Sequence, residues 1–411
     1  MAKTIVILAT LDTKGEEAQF AREQIEARGH RCVLVDPGIL GAPEIAPDIS
    51  REKVAQASGV SGVEEVRSWG DKSRGLEQMI AGATTIITGM ASAGEIDGIL
   101  GLGGGTGTSI GTAVMRALPL GFPKLMVSTI AGTKHRFGTF TGTRDLTIMH
   151  SVADVLGLNP IMRKVIANAA GAICGMAEVE LRLERSEKPV VCATMFGNTT
   201  PCIMHARSIL IRDGYEVIVF HPNGTGGPAM EELIYQGMVD GVLDLTTHEI
   251  VGDMFPESIM GGPDRVEAAG KMGVPQVVGP GALDYLVFER PELVPQQHRH
   301  RKAFRHSREM TLLRVERDEM VRAAEALAEK LNRATGPTAM VIPLRGFSFP
   351  SREGGPLFDP AADRAFIDTV RAKLSPGIEY LELDCHINDP AYAETSVALL
   401  ERLMTSRAGG T

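Results

Sequence analysis

From Gly101 to Gly111 the chain reads Gly-Leu-Gly-Gly-Gly-Thr-Gly-Thr-Ser-Ile-Gly, six glycines in eleven positions. An apolar run through Ile99, Leu100 and Leu102 enters this stretch, and a helical pattern from Ile110 to Leu118 leaves it. Glycine frees the backbone for positive φ and lets a ligand come close. A helix beginning there directs unpaired N–H groups and a partial positive charge at whatever lies in front of it. The hydroxyls of Thr106, Thr108, Ser109 and Thr112 add donors. This is the chemistry of a phosphate cradle, with Gly103, Gly104, Gly105, Thr106, Gly107 and Thr108 as candidate ligands. The competing reading is a strand-to-helix turn that needs glycine only for close packing. The stretch matches neither G-x-x-x-x-G-K-[ST] nor the full dinucleotide fingerprint, because Thr106 stands where a third glycine belongs.

Other polar groups fall at the ends of apolar runs. In the first half these are Asp12, Thr13 and Lys14, then Asp36-Pro37-Gly38, then Ser128, Gly132, Thr133 and Lys134. Asp12, Thr13, Ser128, Gly132 and Thr133 join the cradle as candidate nucleotide ligands. Asp12 suits either a Mg²⁺ ion or the cap of the helix that follows. Lys14 and Lys134 suit phosphate charge or an exposed surface. Phe137–Asp145 reads as a hydroxyl-rich loop over the site, or as an ordinary turn. In the second half the groups change to acids, imidazoles and arginines: His221, Glu249, Asp264, Arg265, Arg345 and His386. Together they could supply acid–base groups and an arginine clamp for an anion; singly, each also fits a structural role. The basic run His298–His306 fits an anion site, a subunit contact or a solvated loop better than nucleic acid.

The elements that must position these groups repeat. Strand, turn, helix and strand over 4–38 return over 189–224, with Gly29-His30 and Gly214-Tyr215 at matching points. Gly98-Ile-Leu-Gly-Leu resembles Gly241-Val-Leu-Asp-Leu, and Pro123-Lys-Leu-Met-Val resembles Pro275-Gln-Val-Val-Gly. Each half therefore predicts a mainly parallel α/β sheet, with the boundary near residue 185 and domains over 1–185 and 186–411. Arg308–Arg333 is expected as one long helix, followed by strand 338–343, helix 361–374, strand 379–383 and a last helix from Pro390. The tail Ser406–Thr411 is expected to be disordered.

Composition bounds the partners. The 411 residues carry a net charge of −9 and only 5% aromatics, which argues against a general nucleic-acid binder. Five scattered cysteines without C-x-x-C spacing predict reduced thiols and a cytoplasmic setting. Charges interrupt every apolar stretch before a membrane span is reached.

Several segments, in order, resemble the bacterial UPF0261 family over nearly the whole chain: ATLDTKGEE (Ala9–Glu17), GLGGGTGT (Gly101–Thr108), FHPNGTGGPAMEELI (Phe220–Ile234), GGPDRVEAA (Gly261–Ala269), PLRGFS (Pro343–Ser348) and DCHINDP (Asp384–Pro390). That family is similar to the N-terminal part of a tomato mosaic virus resistance protein. The resemblance implies two Rossmann-like three-layer domains arranged as a diverged duplication, a homodimeric tendency and ATP as cofactor. One departure concerns the segment after Ser128-Thr129, which in the family has the form ASGDV. Here Ala131-Gly132-Thr133-Lys134-His135 removes the acid. The leading expectation is an ATP-binding protein, with Mg²⁺ on Asp12 and a small anionic partner at an interdomain cleft. The alternatives are an enzyme acting on a phosphorylated sugar acid, or a regulatory or scaffold dimer stabilised by its ligand.

Overall fold

The computed structural model describes residues 1–131, 140–181, 185–255, 258 and 262–408. Gly132, Thr133 and Lys134, named above as candidate ligands, lie outside the described residues, as does Gly261. The chain divides into two compact units, Met1–Glu184 and Arg185–Thr411. Among the described residues, no helix is long and apolar enough to cross a membrane.

The first unit is built on strands β1 (Thr4–Leu8), β2 (Arg31–Val35), β3 (Gly98–Gly103), β4 (Lys124–Ser128) and β5 (Thr147–His150). They form one parallel sheet in the order β2-β1-β3-β4-β5. Alternate side chains of β1 show why its run is apolar throughout. Ile5 and Ile7 pack on one face against Ala18, Ala21 and Ile25 of the helix Gly15–Glu26 and Ile166 of the helix Pro160–Glu178. Val6 and Leu8 pack on the other against Met79 and Ala83 of Lys72–Ser92 and Val114 of Gly105–Arg116. A parallel sheet covered on both faces needs such continuous apolar strands.

The second unit repeats this plan with β6 (Val190–Thr194), β7 (Glu216–Phe220), β8 (Gly241–Asp244), β9 (Gln276–Val278), a later β13 (Thr338–Pro343) and β14 (Glu379–Leu383). Their order, β14-β13-β9-β8-β6-β7, is that of the first unit with one strand added, and all pairs are parallel. Between β9 and β13 lies an antiparallel sheet of β10 (Tyr285–Phe288), β11 (Ala303–Arg305) and β12 (Thr311–Arg314), in the order β10-β12-β11.

That small sheet overturns one expectation and engages part of the basic run. Arg308–Arg333 is not one helix: Thr311–Arg314 pairs as a central strand, and the helix runs from Arg317 to Asn332. Glu316 and Glu319 form a reciprocal capping box at its start, so the chain has a built-in break there. Three members of the basic run form ion pairs within the chain. Arg301 binds Glu319 through two bonds of 2.6 and 2.7 Å, His300 meets Glu316 at 2.8 Å, and Lys302 meets Asp359 at 3.4 Å. The last helix, Pro390–Ala408, continues into the segment expected to be disordered.

Candidate functional site

In the first unit the winding reverses between β1 and β3, so the loops after these strands part there. In open parallel sheets this is where ligands collect. A cavity of about 400 Å³ opens at this point. Thr10, Asp12, Thr13 and Thr106 give it a polar side, and Ile39, Leu40, Val66, Leu76 and Ile110 an apolar one. Arg67 and Lys72 also line it.

The glycine stretch divides by role. A side chain on Gly103 would meet Gly107 Cα at 2.7 Å, and one on Gly101 or Gly111 would meet Met126 Sδ at 2.5 or 2.7 Å. These glycines let helix Gly105–Arg116 sit tightly against β3 and β4. Gly104 and Gly105 are different: the nearest atom to a side chain on Gly104 is Thr129 Oγ1 at 3.6 Å, and a side chain on Gly105 would meet nothing within 4 Å. None of the six adopts positive φ, so the expected left-handed backbone is absent and close approach is the reason for glycine. The first bond of the helix runs from Thr108 N to Gly104 O at 2.8 Å, which leaves the N–H groups of Gly105, Thr106 and Gly107 without a partner inside the helix.

The hydroxyls divide as well. Thr108 and Ser128 are fully buried and bond each other at 2.8 Å, Ser109 bonds Gly105 O, and Thr112 bonds Thr108 O. Thr108 and Ser128 thus hold the loop against β4 rather than present hydroxyls to a ligand, and Thr106 alone of the group is exposed. Asp12 does not cap the helix after it: Lys14 holds the N-cap position without a capping bond. The Asp12 carboxylate instead accepts from Gly41 N at 3.0 Å. Among the described residues no cluster of three or more metal-ligating side chains exists, and Asp71 is a second carboxylate on the cavity lining. Of the loop Phe137–Asp145 expected over this site, residues 137–139 lie outside the described residues, and its far end is fastened elsewhere. Asp145 bonds Lys124 Nζ and Gly121 N, both at 2.8 Å, at the opposite end of β4.

The pair that shapes this cavity is Asp36 and Arg51, and sequence reasoning missed it. Fully buried Asp36 accepts from Leu11 N, Gly38 N and Arg51, at 3.1, 2.9 and 2.8 Å. Arg51 in turn donates to Gly41 O. One ion pair therefore ties the loop after β1 to the loop after β2. The Asp-Pro-Gly end of β2 was a visible signal for Asp36; nothing local marks Arg51.

In the second unit the expected acid–base set disperses. Arg265 is not an anion clamp for a ligand: its guanidinium is wholly buried and meets Asp244, Glu249 and Glu231. Burial raises the Glu231 and Glu249 carboxyls, against the pull of Arg265. Glu231 also accepts from Val266 N and Ala268 N, and Glu249 from Gly224 N. A side chain on Gly227 would lie 1.8 Å from Glu249 Oε2, so this cage requires glycine there; one on Gly226 would instead meet the His221 carbonyl oxygen at 2.0 Å. Asp264 is exposed and pairs with Lys271 at 3.5 Å. His386 has both ring nitrogens committed, Nδ1 accepting from Asn388 N and Nε2 donating to Ser348 O. Arg345 forms a two-bond pair with Asp384 on the surface, at 2.8 and 2.7 Å, beside a cavity of about 640 Å³. His221 alone of the set stands at an aromatic cluster, where it stacks on Phe196 at 4.8 Å; His248 stacks on the other face of that ring at 4.9 Å.

Comparison with known proteins places the whole chain. The model of the uncharacterised protein family (UPF0261) N-terminal domain matches residues 3–182, and that of its C-terminal domain matches 188–404. A UPF0261 protein of Clostridium tetani is 39% identical over 405 residues, 98% of this chain and 99% of that one. The ToMV resistance protein Tm-1(GCR237) of Solanum lycopersicum is 35% identical over 312 residues, 74% of this chain but 41% of that protein. Among solved structures, a putative UDP-N-acetylglucosamine 2-epimerase from Listeria monocytogenes aligns with 11% identity and a TM-score of 0.23, over 68% of this chain and 79% of that one. So weak a structural likeness carries no functional argument. On both domain matches and full-length identity, the chain belongs to the UPF0261 family.

Proposed function

We propose that this protein binds ATP at the β1/β3 switch point of its first unit. The observation that carries this reading is the juxtaposition of Thr106, with the unpaired N–H groups around it, and a cavity that has an apolar side. A helix N-terminus with free N–H groups favours phosphate, and Gly104 and Gly105 leave room for phosphate oxygens to reach the backbone. Ile39, Leu40, Val66 and Leu76 offer apolar surface for the base and ribose, and Lys72 offsets phosphate charge, while Arg67 is engaged with Glu64 and the carbonyls of Ile39 and Leu40. The cavity size suits a small cofactor. Asp12 would supply the one protein carboxylate of a Mg²⁺ shared with the phosphates, an arrangement common for that ion.

No reaction is assigned. Two members of the expected set are engaged in structure: Arg265 in its cage, and His386 through both ring nitrogens. The test is thermal unfolding of the full chain with ATP, ADP, coenzyme A and sugar phosphates, each with and without Mg²⁺. A ligand specific to the folded state stabilises by about 2.7 kcal/mol at a hundredfold excess over its dissociation constant. ATP should raise the unfolding temperature, more so with Mg²⁺. A response to sugar phosphates and not to ATP would instead assign the cradle to a substrate's own phosphate.

A further inference from the structure

The winding of the second unit reverses between β6 and β8, where the buried rings of His248 and Tyr285 lie 5.2 Å apart. The cavity of about 640 Å³ lies elsewhere, at the carboxyl ends of β13 and β14. The turn after β13 lends it Arg345 and Gly346, and the turn after β14 lends His386. These turns are tied together. Leu344 N donates to Leu383 O, Arg345 N to Cys385 O and Ile387 N to Gly346 O, at 2.9, 3.0 and 3.2 Å. Gly346 has a φ of +119°, a conformation that favours glycine, and a side chain there would meet Ser351 O at 3.1 Å and His386 Cδ2 at 3.2 Å. One face of the helix Pro360–Lys373 closes another side, with Pro360, Asp363, Arg364 and Ile367 at the spacing of successive turns.

Three arginines line this cavity, Arg345, Arg352 and Arg364, against the two carboxylates Glu353 and Asp363. Asp363 is buried and already matched by Arg314 at 2.6 Å, whereas Glu353 is exposed. Arg345 pairs with Asp384 and Arg364 with Asp368, but all four side chains are exposed. Exposed ion pairs are weak, so both arginines can turn to a better anion. Arg352 differs from them. Among the described residues its guanidinium has neither an ion pair nor a hydrogen bond, and it lies over the Phe349 ring, 4.4 Å from the centroid. We propose that this cavity is a second small-molecule site, which takes a small organic anion through Arg352, with Arg345 and Arg364 as supporting cations.

The lining selects that class. A guanidinium fork suits the paired oxygens of a carboxylate or a phosphate, and neither is supplied to Arg352 from within the chain. The volume is that of a pocket for a small molecule. Leu344, Phe358 and Ile367 set apolar surface beside the arginines, so the anion carries a carbon skeleton. His386 forms wall rather than ligand, since both its ring nitrogens are spent on Ser348 and Asn388. The site lies wholly within the second unit and is independent of nucleotide binding in the first.

The test is isothermal titration of the full chain at low salt with L-malate, D-gluconate and D-glucose 6-phosphate, and with D-glucose as the uncharged control. At least one anion should bind saturably, and D-glucose should not. Which of the anions bind tells whether the arginines hold a carboxylate or a phosphate. Arg352→Gln should weaken the bound anion tenfold or more. Arg317→Gln, which removes an exposed arginine outside the cavity, should leave it unchanged. Unfolding of each variant without ligand checks that it is folded, and the wild-type titration stands as a test whatever the variants do. The proposal is overturned if none of the three anions binds, if D-glucose binds as well as they do, or if Arg317→Gln costs as much as Arg352→Gln. It is overturned too if the folded Arg352→Gln chain binds as wild type does; a response to D-glucose 6-phosphate that survives this change belongs to the glycine turn of the first unit.

Discussion

At the scale of residues, glycine carries two separate meanings in this chain, and substitution should separate them. Gly227→Ala would drive a methyl into Glu249 and Arg265, both buried, so no flexible end can give way. Overpacking alone costs about 1–3 kcal/mol, and a disturbed buried ion pair adds to it. Gly104→Ala meets nothing closer than 3.6 Å and should leave stability within about 0.5 kcal/mol. Urea unfolding of the two variants checks this contrast. His248 gives a pH prediction. Burial lowers its pKa from 6.5 to about 4, outweighing the opposing pull of the Ala282 carbonyl and Asp284, while His221 lowers it further. Between these values the unfolded chain binds the proton and the folded chain does not. Stability from this group is therefore complete above pH 6.5 and falls by roughly 3 kcal/mol by pH 4. Asp363, raised to about 6 by burial, acts in the opposite sense over much of this range. The readout is thus the difference between wild type and His248→Asn, which should show the shallower acid loss. The sequence marks the glycines and the imidazoles but not these distinctions: whether a glycine faces Met126 or open space depends on packing between elements far apart in the chain.

At the scale of elements, short-range pattern was enough for the strands and insufficient for the loops. The apolar runs 4–8, 98–103 and 190–194 declare buried parallel strands, and Gly29-His30 and Gly214-Tyr215 at matching points of the strand–helix–strand plan announce the duplication. Leu313 fits a helical period equally well, and only its pairing with Leu286 of β10 and Ala303 of β11 makes it a strand residue. The stretch Phe137–Asp145 reads as a loop over the site because it is rich in hydroxyls, yet Asp145 fastens its end at the far end of β4 through Lys124. Long-range partners of this kind leave no local trace. Asp36–Arg51 is the clearest instance, since it joins two loops across the candidate cavity. Arg51→Met should strand the Asp36 charge among Leu11 N and Gly38 N with no cation. Breaking a buried pair from one side costs about 3–5 kcal/mol. The variant should lose that much in urea unfolding, and any nucleotide response should fall with it as the loop after β2 loosens. An unchanged unfolding midpoint would show that the pair is not holding these loops.

At the scale of the whole molecule, one sheet order occurs twice, and the two copies furnish their switch points with different chemistry. The first has free N–H groups and unhindered glycines; the second has a buried imidazole, a phenol and a caged arginine. This division was legible in the sequence as a contrast between glycine–hydroxyl and acid–imidazole strand ends. Which of the second set would be spent on structure was not legible, because Arg265 and Glu249 look alike as catalytic groups and as a buried cage. Of the two proposed sites, the nucleotide site is the account's central claim. The measurement that tests it most directly is isothermal titration of ATP with Mg²⁺ into the full chain, beside Gly104→Val. The account requires saturable binding to wild type and a loss of tenfold or more in the variant, with unfolding of the ligand-free variant unchanged. No heat with wild type, or equal affinity in a folded variant, would contradict a phosphate cradle at Gly104–Thr106.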